Sequence, residues 1–131
     1  MILNNSDISS VCTSKITEMD RFFYQNNLFN QDISNWDVSN VISMSQMFEE
    51  SVFNQDISNW DVRNASDMYA MFKDNSVFNQ PIGDWNVGSV NKMGRMFENN
   101  SAFNQPIGDW DVASVDAVSY THLTLPTMLM V

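Results

Sequence analysis

One segment recurs in this chain at almost constant spacing, and it limits the possible folds more than any other feature. It reads FNQDISNWDVSNVISMSQMF at Phe29–Phe48, FNQDISNWDVRNASDMYAMF at Phe53–Phe72 and FNQPIGDWNVGSVNKMGRMF at Phe78–Phe97, with a shortened fourth copy from Phe103. The FNQ triplets lie 24, 25 and 25 residues apart, and Trp36, Trp60, Trp85 and Trp110 keep the same intervals. Self-similarity at such a period marks a repeat array, whose units cannot bury their apolar faces alone and do so by stacking. The one-residue difference falls at Glu49–Ser51, where later copies have Lys73–Ser76 and Glu98–Ser101. Length changes are tolerated in turns, so this segment reads as a turn.

Inside one unit the apolar period changes. Phe53, Gln55 and Ile57 alternate with Asn54 and Asp56, the two-residue period of a short strand. Val41, Met44, Met47 and Phe48 then fall at i, i+3, i+6 and i+7, one face of two helical turns. Ser39 or Asn40 is placed to cap that helix, and Asn75 and Asn99–Asn100 to end it in the left-handed conformation. Pro81 and Pro106 lack the ladder donor, so the strands are expected to be only three or four residues long. The predicted fold class is α/β: a right-handed, leucine-rich-repeat-like solenoid with one short strand and one short helix per 24–25-residue repeat. Like residues then form columns. The predicted core is Phe29, Ile33, Trp36, Met44, Met47, Phe48, Phe53, Ile57, Trp60, Met68, Met71, Phe72, Phe78, Ile82, Trp85, Met93, Met96, Phe97, Phe103, Ile107 and Trp110. The FNQ amides are expected to form ladders between units.

Three segments follow from this register. Residues 1–28 hold a degenerate repeat, with Ile8, Ile16, Met19 and Phe23 in the apolar positions and Val11 in place of Trp. Residues 29–117 are the array, with repeats starting at 29, 53, 78 and 103, the last truncated. Residues 118–131 depart from the pattern. Val118–Thr127, VSYTHLTLPT, resembles the in-frame translation of a transposase-type sequencing adapter. Val118–Val131 is therefore expected to be an adapter-derived artefact; the alternative is a C-terminal cap strand.

The chemistry of the chain argues against an enzyme. Cys12 is the only cysteine, and the only histidine, His122, lies in the aberrant tail. Four glycines form no phosphate loop, and the aspartates recur in near-identical rows, whereas catalysis needs a unique pair. The net charge of −10 disfavours nucleic acid and anionic membrane as partners. No apolar run is long enough to insert in a bilayer, and Met1–Ser10 lacks the basic and apolar regions of a signal peptide. No cofactor is expected.

Charge is segregated within each unit. Segments 29–38, 53–62, 78–87 and 103–112 contain no Lys or Arg and carry Asp32, Asp37, Asp56, Asp61, Asp84, Asp109 and Asp111. Arg63, Lys73, Lys92 and Arg95 lie in the other half. Carboxylates stacked about 5 Å apart repel. The offset could be raised pKa values, hydrogen bonds to Asn and Ser, cations or a basic partner. The column Asp37, Asp61, Asn86 and Asp111 is a weak calcium candidate, set against the simpler reading that these side chains accept backbone N–H bonds after Trp. The Trp column reads as core rather than as a sugar- or protein-binding surface.

The combination FNQ-D/P-I-x-x-W-D-V followed by M-x-x-M-F resembles the repeat of BspA-like bacterial surface proteins, a leucine-rich-repeat class that overlaps a mycoplasma-type domain of unknown function. The resemblance covers roughly Asn4–Ala117. It implies a cell-surface or secreted protein that binds a protein, glycan or extracellular-matrix partner. The functional expectation is a non-enzymatic adhesion module presenting the acidic strand-side face. The alternatives are a structural spacer of a larger surface protein, or a calcium-stabilised array.

Overall fold

A computed structural model describes Ile8 and residues 11–116. The tail 118–131, with its adapter-like decapeptide, lies outside the described residues, as does most of 1–10. The described chain forms a leading coil (residues 11–28) and four further coils, 29–52, 53–77, 78–102 and 103–116, stacked in sequence order.

The backbone joins neighbouring coils through one repeated ladder. Amides of Met19, Arg21, Phe23 and Gln25 donate to the carbonyls of Ser43, Ser45, Met47 and Glu49 in the next coil. Met44, Gln46, Phe48 and Glu50 donate in turn to Asp67, Tyr69, Met71 and Lys73. Met68, Ala70, Phe72 and Asp74 donate to Lys92, Gly94, Met96 and Glu98. Alternate amides close turns within their own coil instead: Met71 to the carbonyl of Met68, Lys73 to Ala70, and Asn75 to Phe72.

This ladder overturns the α/β, leucine-rich-repeat-like solenoid expected from the sequence. Among the described residues there is no helix, and the β pairing is limited to three isolated parallel bridges, Glu18 with Ser43, Ser43 with Asp67 and Asp67 with Lys92. Those bridges lie at the start of the segment expected to be helical, not in the FNQ segment expected to be a strand. Each coil is instead a chain of turns. Arg21, Gln46, Ala70 and Arg95 have positive φ, and so do Gln25, Glu50, Asp74 and Asn99, all between 52° and 60°. No helix continues through two left-handed residues four apart. Of the Asn residues expected to end the helix, only Asn99 is left-handed. The expected cap Asn40 turns its side chain to the preceding coil and donates to the carbonyl of Ser14 at 2.7 Å.

The physical reason is the spacing of the stack. Phe23, Phe48, Phe72 and Phe97 form a column with rings 5.5, 5.6 and 5.8 Å apart. Phe29, Phe53, Phe78 and Phe103 form a second, at 6.0, 6.3 and 6.2 Å. Packed helices need about 8–10 Å between axes. At this spacing the amides that a helix would turn inward along its own axis go to the next coil instead. The left-handed residues cost on the order of 1–2 kcal/mol each, and the ladder bonds they aim offset that cost.

In the FNQ segment side chains replace the backbone ladder. Amides of Asn54, Asn79 and Asn104 donate to Oδ1 of Asn30, Asn54 and Asn79 in the preceding coil, at 2.8, 3.0 and 2.8 Å. Gln55, Gln80 and Gln105 add Nε2 bonds to the same asparagine column. Hence this segment is no strand, although its residues are held between coils. Each indole does likewise: Nε1 of Trp36, Trp60, Trp85 and Trp110 donates to the carbonyl of Ile8, Ile33, Ile57 and Ile82, one coil back.

The interior is continuous. Every member of the expected core set is buried, together with Val38, Val41, Val62, Ala65, Val87 and Val90. The leading coil joins it through Ile8, Met19 and Phe23. Two buried asparagines, Asn75 and Asn100, close the corners by accepting the amides of Val77 and Phe78, and of Ala102 and Phe103. In the shortened repeat Ser51 does this with one residue fewer, donating to the carbonyl of Phe48 and accepting from the amide of Phe53.

A spectroscopic prediction follows. Far-ultraviolet circular dichroism of the chain should lack the paired minima of α-helix, and amide exchange should protect Met44, Gln46 and Phe48 together with Met68, Ala70 and Phe72. A strong helical spectrum would contradict the turn ladder.

Candidate binding face

The acidic residues singled out from the sequence divide into two sets. The first is built into tight corners. Asp32 and Asp56 accept the amides of Ser34 and Ser58 at 2.9 Å. Asp37, Asp61 and Asp111 accept those of Ser39, Arg63 and Ala113, and Asn86 accepts that of Gly88. These are side-chain-closed turns, the local bond that Asp and Asn make with the amide two residues on. Ser39 adds its hydroxyl to Asp37 at 2.6 Å. Arg63 reaches back from outside the acidic segment and grips Asp61 through Nε and Nη2, both at 2.9 Å.

At Asp32, Asp37, Asp56 and Asp61 these bonds outweigh the repulsion from neighbouring carboxylates. Asp32 is held below its ordinary value chiefly by the Ser34 amide, and Asp37 and Asp56 chiefly by the hydroxyls of Ser39 and Ser58. Asp61 is lowered chiefly by the Arg63 side chain. The neighbouring carboxylate raises Asp37 and Asp56, but by less than the hydrogen bonds lower them. A depressed folded value gives stability that is complete above the unfolded value and is lost as pH falls through the folded one. Urea midpoints should therefore hold steady down to about pH 5 and fall below about pH 4. Asp32→Asn/Asp56→Asn should flatten that fall, and an unchanged acid limb would refute the assignment.

The second set is Asp84 and Asp109. Among the described residues neither carboxylate takes part in a hydrogen bond or an ion pair. They flank a cleft of about 390 Å³ between the third and fourth coils, lined by Pro81, Gly83, Gln105, Pro106 and Gly108 as well. The two coils meet closely at Gly83, where an added Cβ would stand 2.4 Å from the Pro106 carbonyl oxygen. The same addition at Gly108 meets nothing within 4 Å.

One further cluster was not anticipated from the sequence. Carboxylate oxygens of Glu49, Glu50 and Asp74 lie within 4.8 Å of one another, close enough for a cation. The Lys73 ammonium already sits there, 2.9 Å from Asp74 and 3.5 Å from Glu49, and its pKa is raised chiefly by the bond to Asp74. Gln46 binds Glu49, Gln25 binds Glu50 and Asn99 binds Asp74. The signal was the register, which puts Glu50 over Asp74 and Glu49 over Lys73. The calcium candidates Asp37, Asp61, Asn86 and Asp111 each commit an oxygen to a backbone amide. Cys12 is exposed, and its thiol is lowered chiefly by the Ser14 hydroxyl.

The sequence profile of a family described as Mycoplasma protein of unknown function, DUF285, matches residues 2–87 and, in a second overlapping match, 49–125. The chain belongs to this family. A profile that spans several units can settle on an array in more than one register, which accounts for two overlapping DUF285 matches on one ladder of coils. No curated protein and no solved structure matches the chain.

Proposed function

We propose that this DUF285 chain is a non-enzymatic binding module, presenting its acidic FNQ–Trp face to a basic surface on a protein partner. The observation that carries this is the segregation of charge: the four FNQ–Trp segments hold seven aspartates and no Lys or Arg. Six of the seven are exposed in the folded chain, Asp61 partly covered by Arg63. Rigid corners hold five of them in register, so the negative charge is fixed in place before a partner arrives. The resemblance of the repeat to BspA-like surface-protein repeats supports a cell-surface or secreted setting, with a protein, glycan or matrix partner. Among the described residues no helix is long and apolar enough to cross a membrane.

The test is binding to a polylysine-coated sensor at several salt concentrations. Binding should weaken when Asp37, Asp61 and Asp111 are changed together to Asn. The control is Glu18→Gln/Glu50→Gln/Asp116→Asn, which removes equal charge elsewhere. Equal losses in the two triple variants would show only net charge at work and end the acidic-face reading.

A second reading, a spacer within a larger protein, draws on the unbroken ladder and Phe columns, which suit a stiff rod. It predicts no binding by the isolated chain. A calcium-stabilised array would show a melting temperature that rises with calcium and falls with chelator.

A further inference from the structure

The first two complete repeats read DISNW, and the third and fourth read PIGDW. The change does three things at once. It replaces the turn-closing Asp32 and Asp56 by Pro81 and Pro106, which are exposed. It replaces Ser34 and Ser58 by Gly83 and Gly108. It also moves the acid three residues along, from a position where the carboxylate is tied to its own backbone to Asp84 and Asp109, which replace Asn35 and Asn59. The result is the cleft between the last two coils, lined by two prolines, two glycines and two carboxylates free of hydrogen bonds and ion pairs among the described residues.

We infer that this cleft takes an arginine side chain of a partner protein, the guanidinium lying against Pro81 and Pro106 and bonding to Asp84 and Asp109. The inference rests on the acidic-face reading and names the partner chemistry of one part of that face. Charge complementarity selects a cation. The mixture of flat apolar walls with carboxylates selects guanidinium over ammonium, because guanidinium is planar, weakly hydrated on its faces and able to make paired bonds to carboxylates. Lysine carries a compact, strongly hydrated charge that gains little from the proline walls. A side chain at Gly83 would collide with the Pro106 carbonyl, and Gly83 and Gly108 put no side chain of their own into the cleft.

The test is a titration of the isotope-labelled full chain, followed by amide chemical shifts, with the blocked peptide acetyl-Gly-Arg-Gly-amide. Its lysine and citrulline analogues serve as cationic and neutral comparisons. Gly83, Asp84, Gly108 and Asp109 should shift with the arginine peptide, several-fold less with lysine and not with citrulline. Asp84→Asn/Asp109→Asn should weaken binding roughly tenfold. The Glu18→Gln/Glu50→Gln/Asp116→Asn variant should leave these shifts unchanged. Unshifted ladder amides would show that each variant is folded. Shifts spread over all four Trp corners, equal shifts with lysine, or shifts that survive the double variant would overturn the inference. Loss of polylysine binding in the Asp37→Asn/Asp61→Asn/Asp111→Asn variant, with no response to the arginine peptide at the cleft of the unaltered chain, would leave the acidic face standing and remove the arginine site alone.

Discussion

Phe78→Ala is expected to destabilise the chain by about 4 kcal/mol, the middle of the range for truncating a buried aromatic. Phe78 has no exposed surface. Its ring stacks at 4.0 Å on Phe72 of the preceding coil's last turn, 6.3 Å from Phe53 and 6.2 Å from Phe103. It therefore ties its own column to the other phenylalanine column through Phe72, and the hole left by alanine opens between three coils at once. Ladder bonds on either side hold those coils at fixed spacing, so the walls cannot collapse into the gap, and the cavity term stays large. Phe78→Leu fills most of the volume and should cost distinctly less. Urea unfolding of both variants checks this. A loss below about 1.5 kcal/mol for alanine would mean that the columns do not carry the stack. Because coils touch only their neighbours, the alanine variant should also lose cooperativity, with the two ends of the array unfolding separately.

Asn75→Ala is expected to cost about 3 kcal/mol, although it removes a polar side chain from the interior. Asn75 is fully buried. Its Oδ1 accepts the amides of Val77 and Phe78 at 3.0 and 2.9 Å, and its Nδ2 donates to the Phe53 carbonyl at 3.1 Å. Alanine leaves the Phe78 amide and the Phe53 carbonyl buried without these partners, and it is that desolvation, more than the lost bonds, that destabilises. Deleting Asn75 should be better tolerated than mutating it. Deletion turns the corner Lys73-Asp74-Asn75-Ser76-Val77 into the pattern of Glu49-Glu50-Ser51-Val52, where Ser51 closes the shorter turn through Phe48 and Phe53. Denaturant midpoints of the two variants decide it. If the deletion is the worse of the two, the serine corner and the asparagine corner are not interchangeable.

The candidate site was partly legible in the sequence. That the acidic residues share one half of the unit is visible in the string itself. So is the D-x-S spacing at Asp32, Asp37 and Asp56, a turn signature that marks three of the five carboxylates that close corners; Asp61 and Asp111 close theirs without a serine. What the string does not show is that Asp84 and Asp109 are left over, because that depends on which backbone amides lie within reach. The Glu49, Glu50, Asp74 and Lys73 cluster is made by stacking: its two adjacent pairs lie one repeat apart, and the register that superposes them becomes a contact only because one coil lies on the next.

By itself the sequence determined the period, the residues that point inward and the stacking of like on like. Repeated Phe, Ile, Trp and Met at fixed intervals can be buried only by placing unit on unit. It did not determine the secondary structure. Val41, Met44, Met47 and Phe48 face inward on a helix and on a chain of turns alike, so apolar spacing cannot tell the two apart. The tertiary structure decided between them. Rings stacked about 6 Å apart bring the next coil too close for a helix, and backbone amides that a helix would keep for itself bond across the gap. The same close stacking leaves the FNQ segment to pair through asparagine side chains, and it puts left-handed turns where a helix was expected.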